Sequence, residues 1–230
     1  MADIILFRPK AAEGEARAIR PRPPIGLLFV AAPLVRENYR VKIIDEETNF
    51  YWPEELSKEL NASSICVGVS SMTGTQISGG LRFSKIAKER FNLPVVWGGL
   101  HASMLPEQTV KNNFVDIVVR GEGENVFLKI VNALKNKESL KGIPGVWYKE
   151  NGRVYSNPET QFIDLNSLPA ILPYHLINCE KYITVKRSSH PGCNRIFDLH
   201  TDRGCPHRCS FCYNLNINSG KWRYFNTARV

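Results

Sequence analysis

Long apolar runs are missing from this sequence. The longest, 25-IGLLFVAAPLV-35, is well short of the roughly 20 residues that a membrane-spanning helix needs. The opening MADIILFRPK lacks the basic segment and apolar core of a secretion signal. Internal repeats and low-complexity tracts are also absent from the sequence. We therefore expect a globular cytoplasmic protein, in which clustered cysteines bind metal or do redox chemistry rather than form disulfides.

Acidic residues are scarce towards the carboxyl end. The whole chain has 230 residues and a formal charge of +8, and residues 186–230 hold eight basic side chains but only Asp198 and Asp202 as acids. Such a patch suits nucleic acid, an anionic cofactor or plain solvation. Charge alone does not choose between them, and we do not expect nucleic acid as a partner. The length allows one large domain, or one domain plus part of a second.

The first 135 residues alternate between strand-like and helix-like segments. Short β-branched runs predict strands at Ile4–Phe7, Val41–Asp45, Ile65–Val69, Pro94–Trp97 and Ile117–Val119. Helical spacing predicts helices at Ile25–Asn38, Pro53–Leu60, Gln76–Phe91, Pro106–Asn112 and Asn125–Asn136. This alternation predicts an α/β fold: a doubly wound, five-stranded parallel sheet, Rossmann-like, with the flavodoxin-like order 2-1-3-4-5.

Three strand-to-helix loops hold the candidate binding residues, since ligands of such sheets bind beyond the carboxyl ends of the strands. Glycines there allow close approach of a ligand, and hydroxyls and helix-start amides suit phosphate or amide groups. An alternative is that these are ordinary turns capped by Ser71 or Thr75 and by Glu122 or Glu124. The candidates are Ser70, Ser71, Thr73, Gly74, Thr75, Gly98, Gly99, His101, Arg120, Gly121, Glu122 and Gly123.

The alternation of strands and helices ends after the last predicted helix. We expect three parts: residues 1–138 as the Rossmann-like domain, 139–194 as a hairpin and linker, and 195–230 as the start of a further domain. The hairpin spans 145-GVWYKENGRVYSN-157, with its turn at Glu150-Asn151-Gly152. A strand-like stretch, 196-IFDLHT-201, leads into a loop with three cysteines.

The cysteine loop, 203-RGCPHRCSFCYN-214, has the spacing Cys-x3-Cys-x2-Cys. Three thiolates so placed can converge on one inorganic centre. A zinc site normally takes a fourth protein ligand, and Cys193 or the histidines at 190, 200 and 207 keep that alternative open. An iron–sulfur cubane also takes four ligands, but one iron can be left open for a substrate or cofactor.

The loop resembles the cluster motif of the radical S-adenosylmethionine (SAM) enzymes, including the aromatic residue before the third cysteine, Phe211. The resemblance implies that Cys205, Cys209 and Cys212 ligate a [4Fe–4S] cluster. Its fourth iron would hold SAM, with Phe211 near the adenine. It also implies reductive cleavage of SAM to a 5′-deoxyadenosyl radical, with an electron donor such as flavodoxin or ferredoxin.

The upstream region resembles the cobalamin-binding domain of one branch of that family. The matching stretches are 23-PPIGLLFVAAPL-34, 66-CVGVSSMTGTQISG-79, 95-VVWGGLHASMLPEQT-109, 117-IVVRGEGE-124 and 168-LPAILPYHLINCEKY-182. The resemblance implies cobalamin across the strand ends, touched by the three loops. Many such domains ligate cobalt through an Asp-x-His-x-x-Gly histidine. Residues 8–24 contain no histidine, so we expect no such ligand, and we do not expect His101 to replace it.

These resemblances predict the N-terminal portion of a cobalamin-dependent radical SAM enzyme. A methyltransferase acting on an unactivated centre is the leading expectation, and a cyclase or rearrangement enzyme of the same branch is the alternative. A complete barrel takes about 200 residues, so we expect only its first strand here, and a chain that is inactive alone. A zinc-bearing Rossmann-like module and a cobalamin carrier are the non-catalytic alternatives. The small-molecule or peptide substrate is not readable from the sequence.

Overall fold

A computed structural model describes residues 1–11, 21–183 and 195–229 of the chain. Strands and helices alternate over the first two thirds, as the sequence predicts. In chain order they are β1 (Ile4–Arg8), α1 (Ile25–Arg36), β2 (Val41–Asp45), α2 (Trp52–Glu59), β3 (Cys66–Ser70), α3 (Thr75–Phe91), β4 (Val95–Gly98), α4 (Gly99–Met104), α5 (Pro106–Lys111), β5 (Ile117–Val119), α6 (Glu124–Asn136), β6 (Val146–Glu150) and β7 (Arg153–Ser156). The short helix α4 is an addition to the predicted elements.

One sheet runs through the Rossmann-like part, with the order β2-β1-β3-β4-β5-β6-β7. Its first five strands are parallel, so the predicted order 2-1-3-4-5 is confirmed. The predicted hairpin forms β6 and β7, and it extends the same sheet because β6 pairs antiparallel with β5, Ile117 opposite Tyr148. The sheet therefore has seven strands where the sequence predicts five.

Two apolar layers cover the two faces of the sheet, as a parallel sheet requires. Alternate residues of β1 point to opposite layers: Leu6 packs with α1 and α6, while Phe7 packs with α2 and α3. In the second layer the rings of Phe7 and Phe83 stack with centroids 4.1 Å apart. No helix within the described ranges combines the length and apolar character needed to cross a membrane.

The cysteine segment, residues 195–229, forms a small unit beside the sheet. It contains β8 (Asp202–Gly204), α7 (Asn214–Asn218) and β9 (Trp222–Tyr224), and β8 pairs antiparallel with β9. The strand predicted at 196–201 is wrong in position, since only Ile196 makes a bridge there and the strand begins at Asp202. The alternating apolar residues of 196–201 indicated a strand, but the backbone pairing is made by the polar residues that follow. The segment also holds α7 and β9, beyond the single strand expected.

The predicted linker and an aromatic contact lie between the sheet and the cysteine segment. Single 3₁₀ turns at Leu165–Ser167, Tyr174–Leu176 and Cys179–Tyr182 lie in the predicted linker. The ring of Phe225 stacks on that of Phe29 from α1, with centroids 5.8 Å apart. The division at residues 138 and 194 stays a prediction, although the hairpin inside it is bonded to the sheet.

Candidate cofactor site

A cleft of about 450 Å³ opens at the carboxyl edge of the sheet. Its floor is apolar and comes from the strands and from α6; its rim is polar. One wall comes from the loops after β3, β4 and β5, and the opposite wall comes from the cysteine segment. The floor includes Leu6, Val69, Val96, Val119 and Phe127, and the facing wall includes His200, Asp202, Arg203, Tyr213 and Asn218. An apolar hollow with a few convergent polar groups is typical of a small-molecule site.

The loops after β3 and β4 approach each other closely at Gly99. Its φ is +85°, and a Cβ atom there would lie 2.9 Å from the hydroxyl of Ser70 and from two backbone atoms of Ser71. Only glycine accepts both that backbone conformation and that contact. The close approach is fixed by hydrogen bonds from Ser71 N to Gly98 O (3.2 Å) and from His101 N to Ser71 O (3.0 Å).

Half of the loop residues predicted from the sequence line the cleft, and half do not. The loops after β3, β4 and β5 all contribute to it, as expected. Those that line it are Ser70, Gly98, Gly99, Gly121, Glu122 and Gly123. Those outside its lining are Ser71, Thr73, Gly74, Thr75, His101 and Arg120.

Four of the side chains outside the lining have contacts within the protein. The Thr75 hydroxyl donates to the carbonyl of Ala11, 2.6 Å away, and Arg120 forms an ion pair with Glu159. The Nδ1 atom of His101 lies 3.2 Å from the Thr73 hydroxyl. Burial lowers the pKa of His101, which favours the neutral form of its ring. These contacts are with the protein itself, and a role in ligand binding stays a prediction for these residues.

Two arginines of the cysteine segment bind the carboxylates of the loop after β5. Arg203 donates to Glu122 at 2.9 Å and to Glu124 at 2.5 Å, and Arg223 donates to Glu122 at 2.7 Å and 3.1 Å. Burial alone would raise the pKa of Glu122, but hydrogen bonds from Arg223, Arg203 and the Ile163 amide outweigh burial and lower it. The guanidinium of Arg203 also lies 4.8 Å above the ring of Phe29. We call these four charged residues the arginine–glutamate clamp.

The three predicted metal ligands lie just beyond the clamp. Cys209 is exposed, Cys205 and Cys212 are half-buried, and all three are free thiols. Within the described parts of the chain, no three His, Cys, Asp or Glu side chains stand close enough to hold a metal ion. The structure thus places the thiols on one short loop but does not gather them. Phe211, predicted near an adenine, is 91% exposed.

The backbone holds the cysteine loop at its base. Gly204 has a φ of +84°, and a Cβ there would overlap the carbonyl of Lys221 on the neighbouring turn. The Asn214 amide donates to the Cys205 carbonyl at 2.7 Å. The loop therefore begins and ends at fixed points, while the thiols between them remain accessible. Cys193 and His190, two groups of the zinc alternative, lie outside the described residues.

Comparison with known proteins finds relatives of this chain. Residues 21–131 match the family model described as "B12 binding domain". An uncharacterized methyltransferase of Pyrococcus horikoshii is 36% identical over 214 residues, which are 90% of this chain and 44% of that protein. The chain is related to the cobalamin-binding radical SAM family. The resemblance read from the sequence is thereby confirmed.

Two further similarities are to a cyclase and to a solved methyltransferase structure. The anaerobic magnesium-protoporphyrin IX monomethyl ester cyclase of Synechocystis is 26% identical over 232 residues, 97% of this chain and 44% of that protein. The radical SAM methyltransferase TsrM of Kitasatospora setae, solved with cobalamin and a [4Fe–4S] cluster, aligns over all of this chain and 44% of its own length. Its TM-score is 0.69 at 19% identity, which shows a shared fold. The chain thus spans under half the length of these proteins.

Several cleft residues of this chain escape sequence reasoning. Arg203 and Tyr213 flank the cysteines, and α1 supplies Gly26, Phe29 and Val30. The resemblance directs attention to the strand ends and to the thiols, and it does not show that the segment carrying the thiols closes over the strand ends. Arginine directly before the Gly-Cys pair was the available signal, since two glutamates follow β5 at Glu122 and Glu124.

Proposed function

We propose that the chain supplies the cobalamin-binding part and the cluster loop of a radical SAM methyltransferase. One observation carries the proposal: the cleft at the carboxyl edge of the sheet has the start of the cysteine loop as its opposite wall. A ligand in the cleft would therefore lie between the B12-type domain and the segment bearing the three thiols. A separate carrier domain has no need of this arrangement.

The cleft has features that suit a corrinoid. Its floor is apolar, and the glycines at 98, 99 and 121 lie in its lining. One buried oxygen of Glu124, a lining residue, lacks a hydrogen-bond partner among the described residues. We assign cobalamin contacts to the three loops that line the cleft. Ser71, Thr73, Gly74, Thr75, His101 and Arg120 would act by holding those loops in place.

The cysteine loop has the donor set for an iron–sulfur cluster. Cys205, Cys209 and Cys212 would ligate three irons, and the loop would close around the cluster from its fixed ends at Gly204 and Asn214. Phe211 would then move from solvent towards the bound SAM. When bound, the cluster supplies the electron that cleaves SAM, and cobalamin supplies a methyl carrier. The clamp holds the base of the loop against the cleft.

A cyclase or rearrangement reaction is the second candidate. It is favoured by the similarity to the magnesium-protoporphyrin IX monomethyl ester cyclase, which covers 97% of the chain. The higher identity to a methyltransferase, 36% against 26%, is why methyl transfer comes first. Activity assays of a full-length relative with its substrate would distinguish methyl transfer from a cyclase or rearrangement reaction.

Anaerobic reconstitution tests the proposal. The chain is purified without oxygen and supplied with iron, sulfide and hydroxocobalamin; metal content, visible spectra and EPR spectra are then measured. We expect a brown protein with about four irons per chain and bound corrinoid. The Cys205→Ala variant should lose the iron and keep the corrinoid, because its cleft is unchanged.

Three outcomes would contradict the proposal. Stoichiometric zinc without iron would favour the structural zinc module. Corrinoid without iron would favour a cobalamin carrier with an idle cysteine loop. Iron without corrinoid would leave a radical SAM protein whose cleft serves another ligand. Cys66→Ala is the matched control for Cys205→Ala, since Cys66 is a fully buried thiol of β3 and its loss should leave the iron content unchanged.

A further inference from the structure

One carboxylate oxygen of Glu124 accepts a hydrogen bond from the protein, and the other accepts none among the described residues. Its side chain is 5% exposed, and its Oε1 accepts from Arg203 at 2.5 Å. Its Oε2 is buried and has no hydrogen-bond partner in the described portion of the protein. The residue lines the cleft. A buried carboxylate oxygen without a donor destabilises a protein, so a donor supplied by a ligand would relieve that loss.

Glu122, two residues earlier, differs in this respect. Its Oε1 accepts from Arg203 and Arg223, and its Oε2 accepts from Arg223 at 3.1 Å and from the amide of Ile163 at 2.8 Å. Both of its oxygens are therefore occupied by protein. Glu122 is equipped to join the two parts of the chain, and Glu124 is equipped to join the chain to something in the cleft.

The ligand group that Glu124 would take is a hydrogen-bond donor. An ionised carboxylate only accepts, and it stands at the first residue of α6, where the helix dipole favours a negative charge. Arg203 already provides the neighbouring positive charge, so a neutral N–H group suffices. The rim of a corrin ring carries neutral primary amides, each with two such donors.

We propose that Glu124 Oε2 accepts a hydrogen bond from one peripheral carboxamide of a corrinoid in the cleft, an inference that rests on the proposed function. The residue then selects amide over carboxylate at that one position of the ring. A corrinoid with a carboxylate there would set two negative charges together in a buried place. The spare oxygen therefore acts as a specificity determinant of the cleft.

Corrinoid analogues test this with the whole 230-residue chain. Dissociation constants at pH 7 are measured for hydroxocobalamin and for a series of monocarboxylic acids, in each of which one peripheral amide is a carboxylate. We expect the wild-type chain to bind one member of the series at least about tenfold more weakly than hydroxocobalamin. Glu124→Gln should reduce that ratio to below about threefold, since glutamine removes the repelling charge.

A second measurement needs no variant. The methyl ester of the disfavoured acid is neutral but has no N–H group. It should also bind the wild-type chain more weakly than the parent amide, because Oε2 is again left without a donor. Glu107→Gln is the matched control: Glu107 lies exposed on α5, paired with Lys111, and its loss should leave the whole profile unchanged.

The results separate the two proposals. If the chain binds no corrinoid, the proposed function and this inference both fail. If it binds all members of the series equally, or if Glu124→Gln keeps the same preference, only the inference is overturned. A titration with SAM alone tests whether SAM, rather than a corrinoid amide, supplies the hydrogen-bond donor to Glu124 Oε2. A loss of SAM affinity in Glu124→Gln with unchanged corrinoid preferences would assign Oε2 to the ammonium group of SAM and overturn the inference.

Discussion

The carboxyl edge of the sheet and the cysteine loop are built in opposite ways. At the sheet edge, Gly99 packs against Ser70 and Ser71 with no room for a methyl group. In the cysteine loop, Cys209 and Phe211 are exposed and the thiols stand apart. The first region has its shape without a ligand. The second has three thiols on one loop, and under the proposed function a metal centre would gather them, as metal sites commonly do.

Charged side chains rather than a large apolar core connect these two regions. Arg203 and Arg223 reach from the cysteine segment to Glu122 and Glu124, and Phe225 stacks on Phe29 beside them. Half-buried charges of this kind fix a geometry but leave a penalty when one partner is lost. The two regions should therefore respond differently to mutation.

The largest effect is expected from Gly99→Ala, which breaks the preformed side. The new methyl group would meet the Ser70 hydroxyl and the Ser71 backbone at 2.9 Å, at a φ of +85°. Strain and crowding together should lower the free energy of unfolding by about 3 to 4 kcal/mol. Urea unfolding measures the loss, and corrinoid binding should fall with it.

Gly142→Ala is the control for that change. Gly142 has nearly the same φ, +84°, but nothing lies within 4 Å of the added Cβ. It carries the backbone strain without the clash and should lower the stability by about 1 kcal/mol. Equal losses in the two variants would show that the close approach at Gly99 is unimportant.

The next effect, from Glu122→Gln, separates the two regions. Glutamine cannot balance two half-buried guanidinium groups, so the cysteine segment should lose about 2 kcal/mol of its attachment. Hydrogen exchange should rise in β8 and β9 and stay unchanged in β1, β3 and β4. Exchange that rises equally throughout would mean that the chain unfolds as one unit.

The exposed pair of Arg120 and Glu159 provides the control. Glu159 is 72% exposed, and exposed ion pairs contribute little. Glu159→Gln should therefore change neither the exchange of β8 and β9 nor the stability beyond about 0.5 kcal/mol.

Acid should weaken the same attachment. The pKa of Glu122 is lowered below its ordinary value of 4.5, so its contribution is complete above that pH. It is lost as the pH falls through the lowered folded-state pKa. The stability difference between wild type and Glu122→Gln should therefore shrink below about pH 4.5, measured by urea unfolding at a series of pH values. A difference that stays constant down to pH 3 would contradict this assignment.

The sheet and the site also differ in how well the sequence predicts them. The sheet follows from period and composition: runs such as Val41–Asp45 and Ile117–Val119 form strands where predicted. The order of the five parallel strands follows from the handedness of crossovers. The hairpin was recognised, but its pairing with β5 was not, because an edge strand carries no local signal of its partner.

The site was readable only where backbone chemistry marks it. The glycines at 98, 99, 121 and 123 line the cleft as predicted, since glycine after a strand indicates close approach. Side chains were read less well: Thr75 and Arg120 turn to other partners. Arg203 was missed as a cleft residue because its partners lie about 80 positions earlier. Contacts of that range depend on tertiary structure alone.

A smaller effect is expected where the linker meets the sheet. Tyr182 is 2% exposed, and its hydroxyl donates to Asp45 at 2.6 Å. Asp45 keeps its pair with Arg8 when that hydroxyl is lost, so Tyr182→Phe should lower the stability by only about 1.5 kcal/mol. Tyr155→Phe on β7, where the ring is 40% exposed, should change it by less than about 0.5 kcal/mol. Equal losses in the two variants would show that the hydrogen bond from Tyr182 to Asp45 contributes no more to stability than the exposed Tyr155 hydroxyl.

No spectral change at all is expected from His101→Ala. His101 is a buried residue of α4 outside the cleft lining, and its Nδ1 lies against Thr73. Residues 8–24 offer no other histidine. Neither His101 nor residues 8–24 should therefore supply a nitrogen ligand, and the EPR spectrum of the cobalt(II) form of bound cobalamin should be the same in wild type and variant. Splitting that is present in wild type and disappears in His101→Ala would mean that α4 turns its histidine into the cleft when a corrinoid binds.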